Sequence, residues 1–296
     1  HKLFAFQSPD GIHWSMIRDR PVLTDGRFDS QNVAFWDATR NCYVAFYRDA
    51  YVGFRSIRTA TSRDFLHWSD SRMLGYRGAR RQHLYTNAIQ RYDRAPHLLI
   101  GFPTRFLPRN QFPDRPEWTE PILIAGRDGR SFRLWNDPII PATTEATSGN
   151  RSNYVSWGLI QLPGKDREYS LYAAEDRRTG TSMRLRRYTY RTDGFVSVMA
   201  RDSAGELRTK PLRFTGGRLA VNLATQPGGS VRVELQDAAG KPIPGFALAN
   251  CKPLDGDHIA HDARWRNASD LSELTGKPIR LRFVIRDADL YSFQFQ

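Results

Sequence analysis

Four short turns recur along the chain, and their spacing restricts the fold more than any other feature: SPDGIHW at 8–14, SRDFLHW at 62–68, GRDGRSF at 126–132 and RTDGFVS at 191–197. Their aspartates, Asp10, Asp64, Asp128 and Asp193, are separated by 54, 64 and 65 residues. Each follows a strand-like run and is followed two to four residues later by an aromatic. This is turn chemistry: the Asp side chain caps nearby amides, glycine accepts positive φ, and the aromatic anchors the next strand. A second marker keeps the same beat. Asn32 in SQN, Asn87 in YTN and Asn153 in RSN each lead into an apolar strand, and they are separated by 55 and 66 residues.

Between the markers the chain alternates β-branched and aromatic residues, as in YVAFYR at 43–48, HLLIGF at 97–102 and YSLYAA at 169–174. No stretch sustains a helical period. A repeating unit of 55 to 65 residues with about four antiparallel strands predicts a β-propeller blade. Three units run from about residue 29 to 193, preceded by the tail of another that ends near Trp14. That run does not close a ring. The expectation is an N-terminally truncated propeller, and the strand-like KLFAF directly after His1 agrees with it. Past Asp193 the pattern changes. Tight-turn signals at Gly216-Gly217, Gly228-Gly229 and Ala239-Gly240, with strand runs at 279–287 and 289–295, predict a β-sandwich. The chain therefore reads as all-β, with a partial propeller over 1–194 and a C-terminal β-sandwich over 195–296.

The charge is lopsided: 44 basic against 31 acidic side chains, net +13. Only six of the 44 are lysines, which leaves 38 arginines. They are dispersed singly or in pairs such as Arg80-Arg81 and Arg186-Arg187, with no tract, zinc-ligand spacing or helix-turn-helix pattern beside them, so a nucleic-acid partner is not expected. No apolar run approaches the roughly 18 residues of a membrane helix, so a membrane partner is not expected either. Residues 195–296 carry 14 basic and 11 acidic groups, so most of the excess lies on the propeller part. Cys42 and Cys251 fall in different predicted domains, which argues against a disulfide. The reading leans weakly to a secreted or periplasmic location and sets no oligomeric state.

In an up-and-down blade, the start of the first strand, the end of the second and the start of the third share one face, while the turn between third and fourth strands lies on the other. The four turn aspartates therefore belong to the scaffold. The opposite face collects Asp29, Asn32, Arg48, Asp49, Asn87, Arg105, Glu120, Arg151, Asn153 and Glu175. Acids, amides and guanidiniums converging on one mouth suit a polyhydroxylated ligand, because each sugar hydroxyl can accept from Arg or Asn and donate to a carboxylate. Cleavage of a glycosidic bond needs two carboxyl groups flanking it. Asp29, Glu120 and Glu175 are the candidate catalytic acids, and an ion pair with a neighbouring arginine is the competing role for each. Asn32, Arg48, Asn87, Arg105, Arg151 and Asn153 are candidate substrate-binding residues. Trp118, in a polar loop on the same face, is the aromatic best placed to stack on a sugar ring. The seven histidines show no metal spacing, and there is no phosphate loop or nucleophile elbow, so neither a metal nor a cofactor is expected.

The segment FDSQNVAFWDATRNCYVAFYR at 28–48 resembles the second-blade segment of the five-bladed β-propeller glycoside hydrolases, the fold of families 32, 43 and 68 and their uncharacterised bacterial relatives. LYTNAIQRYDRAPHLLIGFPTRF at 84–106 and GKPIRLRFVIRDADLYSFQF at 276–295 look like a bacterial subgroup with a C-terminal β-sandwich. The resemblance implies a five-bladed propeller with about three and a half blades present. It implies Asp29 as the transition-state stabiliser, with Phe28 and Ser30 where the family motif has Arg and Pro. It also puts the nucleophile or base aspartate on a first blade that this chain lacks or has only in part. The acid glutamate of those enzymes opens the third blade, where this chain has Thr86 and Asn87, so Glu120 or Glu175 would have to substitute. The implied activity is hydrolysis of glycosidic bonds in an oligo- or polysaccharide, and the arginine excess points to an anionic one, uronic or sulfated. A non-catalytic carbohydrate-binding propeller, or an inactive fragment of a hydrolase, is the alternative the same residues allow.

Overall fold

The computed structural model describes residues 1–108, 117–142, 152–176, 183–266 and 268–296. The chain is nearly all β, arranged in several sheets. It forms two compact units, His1–Ile160 with Ser170–Tyr188, and Gln161–Tyr169 with Thr189–Gln296.

The first unit begins with a short hairpin, β1 (Phe6–Gln7) and β2 (Ser15–Met16), around the first repeated turn. Next comes an antiparallel four-stranded sheet in sequence order: β3 (Val33–Asp37), β4 (Cys42–Tyr51), β5 (Phe54–Ser62) and β6 (Arg72–Met73). The run YVAFY buries β4 on both faces. Val44 and Phe46 join Ile57, Ile89, Leu99, Ile122, Ile124 and Phe132 in one core. Ala45 and Tyr47 pack on the other side with Leu23, Ala60, Leu3 and Phe28. The second sheet is built from β7 (Gly75–Arg77), β8 (His83–Leu84), β9 (Gln90–Arg91), β10 (Leu99–Gly101), β11 (Thr104–Leu107), β12 (Trp118–Gly126) and β13 (Ser131–Pro138). Short inner strands β8 and β9 pair with β11 and β10, and β7 lies parallel to β13. The third sheet has three strands, β14 (Tyr154–Ile160), β15 (Glu168–Glu175) and β16 (Arg184–Arg191).

The repeated turns match bond for bond. Asp10 Oδ1 accepts from the backbone N–H groups of Ile12 and His13, and Asp64 Oδ1 from those of Leu66 and His67. His13 and His67 sit 2.6 Å from the second carboxylate oxygen of Asp10 and Asp64 respectively. Asp128 takes the N–H groups of Arg130 and Ser131 in the same way. The residue after each of these aspartates has positive φ: Gly11 at 77°, Phe65 at 66° and Gly129 at 72°. In the fourth turn the positive φ, 54°, falls on Asp193 itself. In backbone conformation Asp193 thus aligns with Gly11, Phe65 and Gly129 of the other turns. Asp193 takes the place where the other turns have Gly or Phe, because Asp tolerates the left-handed region.

The third sheet lacks the fourth strand that the repeat predicts, among the described residues. The segment after its turn, β17 (Val198–Ala200), pairs instead with the long C-terminal strand β21 (Ile279–Phe295). That strand is the hub of the second unit. It pairs with β18 (Gly205–Arg208) and, over nearly its whole length, with β19 (Leu219–Asp237), whose other edge carries β20 (Asp257–Asp262). Alternating residues Ile279, Leu281, Phe283 and Ile285 of β21 are buried against Val231, Val233 and Leu235.

The predicted sandwich is realised as this single hydrogen-bonded sheet of five strands. Its core is closed by Phe246, Cys251, Leu254, Ala263, Trp265 and Leu271 from connecting segments. Those segments make only isolated bridges such as Val231 to Leu254 and Cys251 to Trp265. Pro242, Pro244 and Pro253 interrupt the run over 241–256, and each removes an amide donor that a second sheet would use. Both cysteines are free thiols.

Candidate functional site

The first unit places its candidate polar residues at one end of consecutive strands. Arg48 lies near the end of β4, Arg55 at the start of β5, Arg105 in β11, Glu120 at the start of β12 and Glu175 at the end of β15. Asp29 and Asn32 precede β3. The acids resolve into three charge clusters, one on each sheet.

In the first cluster Arg48 donates through Nη1 to Asp29 Oδ1. Arg48 is buried, whereas the Asp29 side chain is 41% exposed. The guanidinium also lies 5.1 Å from the centre of the Tyr85 ring, a cation–π contact. Ser30 Oγ donates to the Tyr85 carbonyl at 2.7 Å, and the Tyr85 and Tyr154 rings meet edge to face at 6.2 Å. One exposed acid is thus paired with a buried cation that lies over one of two adjoining phenol rings.

The second cluster pairs Arg105 with Glu120 across β11 and β12, where they are direct cross-strand partners. Their side chains are only 11% and 9% exposed. Arg105 Nη1 also donates to Gln82 Oε1 at 3.0 Å and to Asn136 Oδ1 at 3.2 Å. In the third, Glu175 is buried. It accepts from Arg186 Nε at 3.0 Å and from the Tyr188 hydroxyl. Burial first, then the hydrogen bond and charge of Glu175, push the Tyr188 phenol well above its usual range.

The three marker asparagines serve the backbone. Asn87 is buried; its amide donates to the carbonyls of Gln31 at 2.9 Å and Phe46 at 3.3 Å, and its Oδ1 accepts from Ile89 N–H. Asn32 donates to the carbonyls of Phe28 and Ser30. Asn153, also buried, reaches the Ile140 carbonyl at 3.5 Å. Trp118 is half-buried at the start of β12, opposite Leu107. Arg151 lies outside the described residues. Asp49 is engaged by Arg58.

Several residues that the sequence did not single out complete this end. Gln31 Oε1 accepts from the backbone N–H groups of Asn87 and Ala88, and its amide reaches the Val155 carbonyl at 3.5 Å, so one side chain links all three sheets. Arg55 sits over Phe106 at 4.3 Å and near Tyr85 at 5.8 Å. Non-glycine residues with left-handed backbone flank the cluster residues: Phe28 (φ 51°) before Asp29, Val52 (φ 49°) in the hairpin tip between β4 and β5, Ala88 (φ 42°) after Asn87 and Asp176 (φ 56°) after Glu175. Such strain costs of order 1–3 kcal/mol per residue and persists only where surrounding structure enforces it. YTN and SNY carried the only sequence signal for Tyr85 and Tyr154, which flank the marker asparagines on opposite sides.

Two clefts, of about 570 and 340 Å³, open at the other end of the first sheet, lined by residues such as Arg40, Cys42, Arg63, Asp64, His67 and Arg130. They belong to the turn scaffold. Among the described residues no group of three or more His, Cys, Asp or Glu is placed to hold a metal ion.

No family model matches the chain, and no curated protein does. Solved structures match it distantly. An N-acetylgalactosamine deacetylase from F. plautii, in complex with blood group B trisaccharide, is 10% identical with a TM-score of 0.41, over 52% of this chain and 42% of that one. A structure described as a glycoside hydrolase is 10% identical with a TM-score of 0.41, over 95% and 75% of the two chains. A fructofuranosidase from Schwanniomyces occidentalis, complexed with fructosylnystose, is 10% identical with a TM-score of 0.28, over 88% and 93%. The chain spans about half or less of the first three structures it matches, 42%, 52% and 52% of their lengths.

Proposed function

We propose that the first unit is a glycoside-hydrolase-like module, an open run of propeller blades that binds an oligo- or polysaccharide at the end of its sheets and acts on its glycosidic bonds. The observation that carries this reading is the Asp29 cluster: an exposed carboxylate paired with a buried guanidinium that itself lies over Tyr85, whose ring meets that of Tyr154. A sugar presents what such a cluster binds, hydroxyls to donate to the acid and accept from the cation, and C–H faces to lie on aromatic rings. In this proposal Asp29 is the acid that meets the sugar at the reacting bond, Arg48 orients it, and Glu120 or Glu175 supplies the second carboxyl group.

One observation favours a second reading, carbohydrate binding without cleavage. Glu120 and Glu175 are buried and already engaged by Arg105, and by Arg186 and Tyr188, respectively. The full chain, with Asp29→Asn, Glu120→Gln and Glu175→Gln prepared singly, separates the two. Release of reducing ends from a broad glycan panel, lost in D29N and in one glutamine variant, supports hydrolysis. Glycan binding weakened in D29N with no product from any glycan supports the binding module. A chain that neither binds nor cleaves any glycan refutes both.

A further inference from the structure

Arg55, at this end of the sheets, is a cation with no carboxylate partner among the described residues. Arg48 has Asp29, Arg58 has Asp49 and Arg105 has Glu120. Among the described residues no carboxylate pairs with Arg55, although it is half-buried. Its guanidinium is held between two rings, 4.3 Å from the centre of Phe106 and 5.8 Å from that of Tyr85. Stacking of this kind fixes the plane of the fork and leaves its edge N–H groups to bind an anion. Tyr85 is shared with Arg48, so the ring that packs on the partner of Asp29 also carries Arg55.

The neighbouring imidazole does not offset the charge. The backbone N–H of Arg55 donates to His83 Nδ1 at 3.2 Å, which leaves that nitrogen unprotonated. Burial first, and the Arg55 cation second, lower the pKa of His83 and keep the ring neutral. Across the hairpin tip Arg81 lies 4.6 Å from the centre of the Tyr51 ring, also with no carboxylate partner among the described residues. Arg55 and Arg81 are thus two stacked guanidiniums without a carboxylate partner among the described residues, and Arg55 is the one that shares a ring with the Asp29 cluster.

We propose that Arg55 binds an anionic group, carboxylate or sulfate, on the glycan, and so selects an acidic saccharide over a neutral one. This rests on the carbohydrate reading of the Asp29 cluster and adds the substrate class to it. A planar guanidinium takes either oxyanion through paired N–H donors. No covalent step is involved.

The test is calorimetric, on the full chain at low ionic strength, with four ligands: an oligouronate, its carboxyl-reduced counterpart, a sulfated oligosaccharide and its desulfated counterpart. The wild-type chain is expected to bind one acidic ligand roughly tenfold or more tighter than its neutral counterpart, the worth of one charge-assisted hydrogen-bonded contact. The pair that shows the preference identifies the anion. Arg55→Gln should bring the ratio close to one, while Arg55→Lys, which keeps charge without the planar stack, should retain part of it; circular dichroism and the urea midpoint establish that both variants are folded. Equal binding of acidic and neutral forms by the wild-type chain, or an undiminished preference in R55Q, overturns the role of Arg55 and leaves the carbohydrate site standing. Binding of none of the four ligands overturns the carbohydrate reading and this inference together.

Discussion

The contrast between Glu120 and Asp29 gives the sharpest test of which acids support the fold and which face a ligand. Glu120→Gln removes one charge from a pair whose side chains are 9% and 11% exposed. Removing one partner of a buried ion pair costs about 3–5 kcal/mol, because the remaining charge is stranded in the interior. Arg105 keeps acceptors in Gln82 Oε1 and Asn136 Oδ1, which places the loss at the low end, about 3 kcal/mol. Asp29→Asn should cost about 1 kcal/mol, since the Asp29 side chain is 41% exposed and the amide oxygen still accepts from Arg48. Urea unfolding followed by tryptophan fluorescence reads the difference as a shift in midpoint at constant slope, analysed as two transitions if the two units unfold separately. A cycle with Arg105→Gln adds a check: the double variant should lose less than the sum of the singles, because neither charge is then left alone. If E120Q leaves the midpoint of the first unit within about 0.5 kcal/mol of wild type and abolishes turnover, Glu120 belongs to the chemistry and the scaffold assignment fails.

Two further outcomes follow from other features. Gln31→Ala should destabilise the first unit by about 2 kcal/mol, since two backbone N–H groups, of Asn87 and Ala88, lose their acceptor; faster amide exchange at Ala88 would show it, and unchanged exchange would dismiss Gln31 as the link between sheets. Acid should open the repeated turns before the sheets unfold. The carboxyls of Asp10 and Asp64 titrate far below the usual range, held down first by the imidazoles of His13 and His67 and then by backbone N–H groups. A depressed folded-state pKa gives stability that is complete above about pH 4, where a free Asp is ionised, and is lost as pH falls through the lower folded value. Chemical shifts of the Ile12, His13, Leu66 and His67 amides should therefore hold steady near pH 4 and move together only at lower pH; movement centred at the ordinary Asp value would exclude these bonds.

How much of this was legible in the sequence depended on how far each residue reaches. The turns were readable because the capping bonds of SPDGIHW and SRDFLHW close within the motif, from Ser8 to the Trp14 indole that donates to the Gly11 carbonyl and from Ser62 to the Trp68 indole that donates to the Phe65 carbonyl. Even there the fourth turn differs, since the left-handed φ falls on Asp193 itself and not on the residue after the aspartate. Asn87 is buried because its amide ties the segment between β8 and β9 to the carbonyls of Gln31 and of Phe46 in β4, whereas Asn32 bonds to carbonyls of its own segment. Periodicity marks what recurs from sheet to sheet, so it finds the asparagines and passes over Gln31, Arg55, Tyr85 and Phe106, which do not keep the repeat. The ion pairs of Glu120 and Glu175 needed register, because only the pairing of β11 with β12 sets Arg105 opposite Glu120. The pairing of β17 was equally out of reach, because its partner, β21, lies at the far end of the chain.

The arginine excess takes on a definite meaning once each guanidinium is followed to its acceptors. Arg191 alone binds Asn222 Oδ1, the carbonyls of Leu223 and His258, and Asp257. Arg201 serves the carbonyls of Ala200 and Ala288 together with Asp289, and Arg40 joins buried Asp37 to the carbonyl of Arg127. A lysine presents three donors from one compact point and cannot span acceptors set this far apart, whereas the planar fork presents five. In a chain of short strands and many turns, exposed carbonyls at strand ends are the recurring need, and arginine meets it at the cost of surplus charge. A basic surface formed for that reason has its charges dispersed and their N–H groups occupied, the opposite of a phosphate-tracking stripe. Arg55 differs from these three: its guanidinium shows no acceptor among the described residues, lies against Phe106 and Tyr85 instead, and shares Tyr85 with the arginine that holds Asp29.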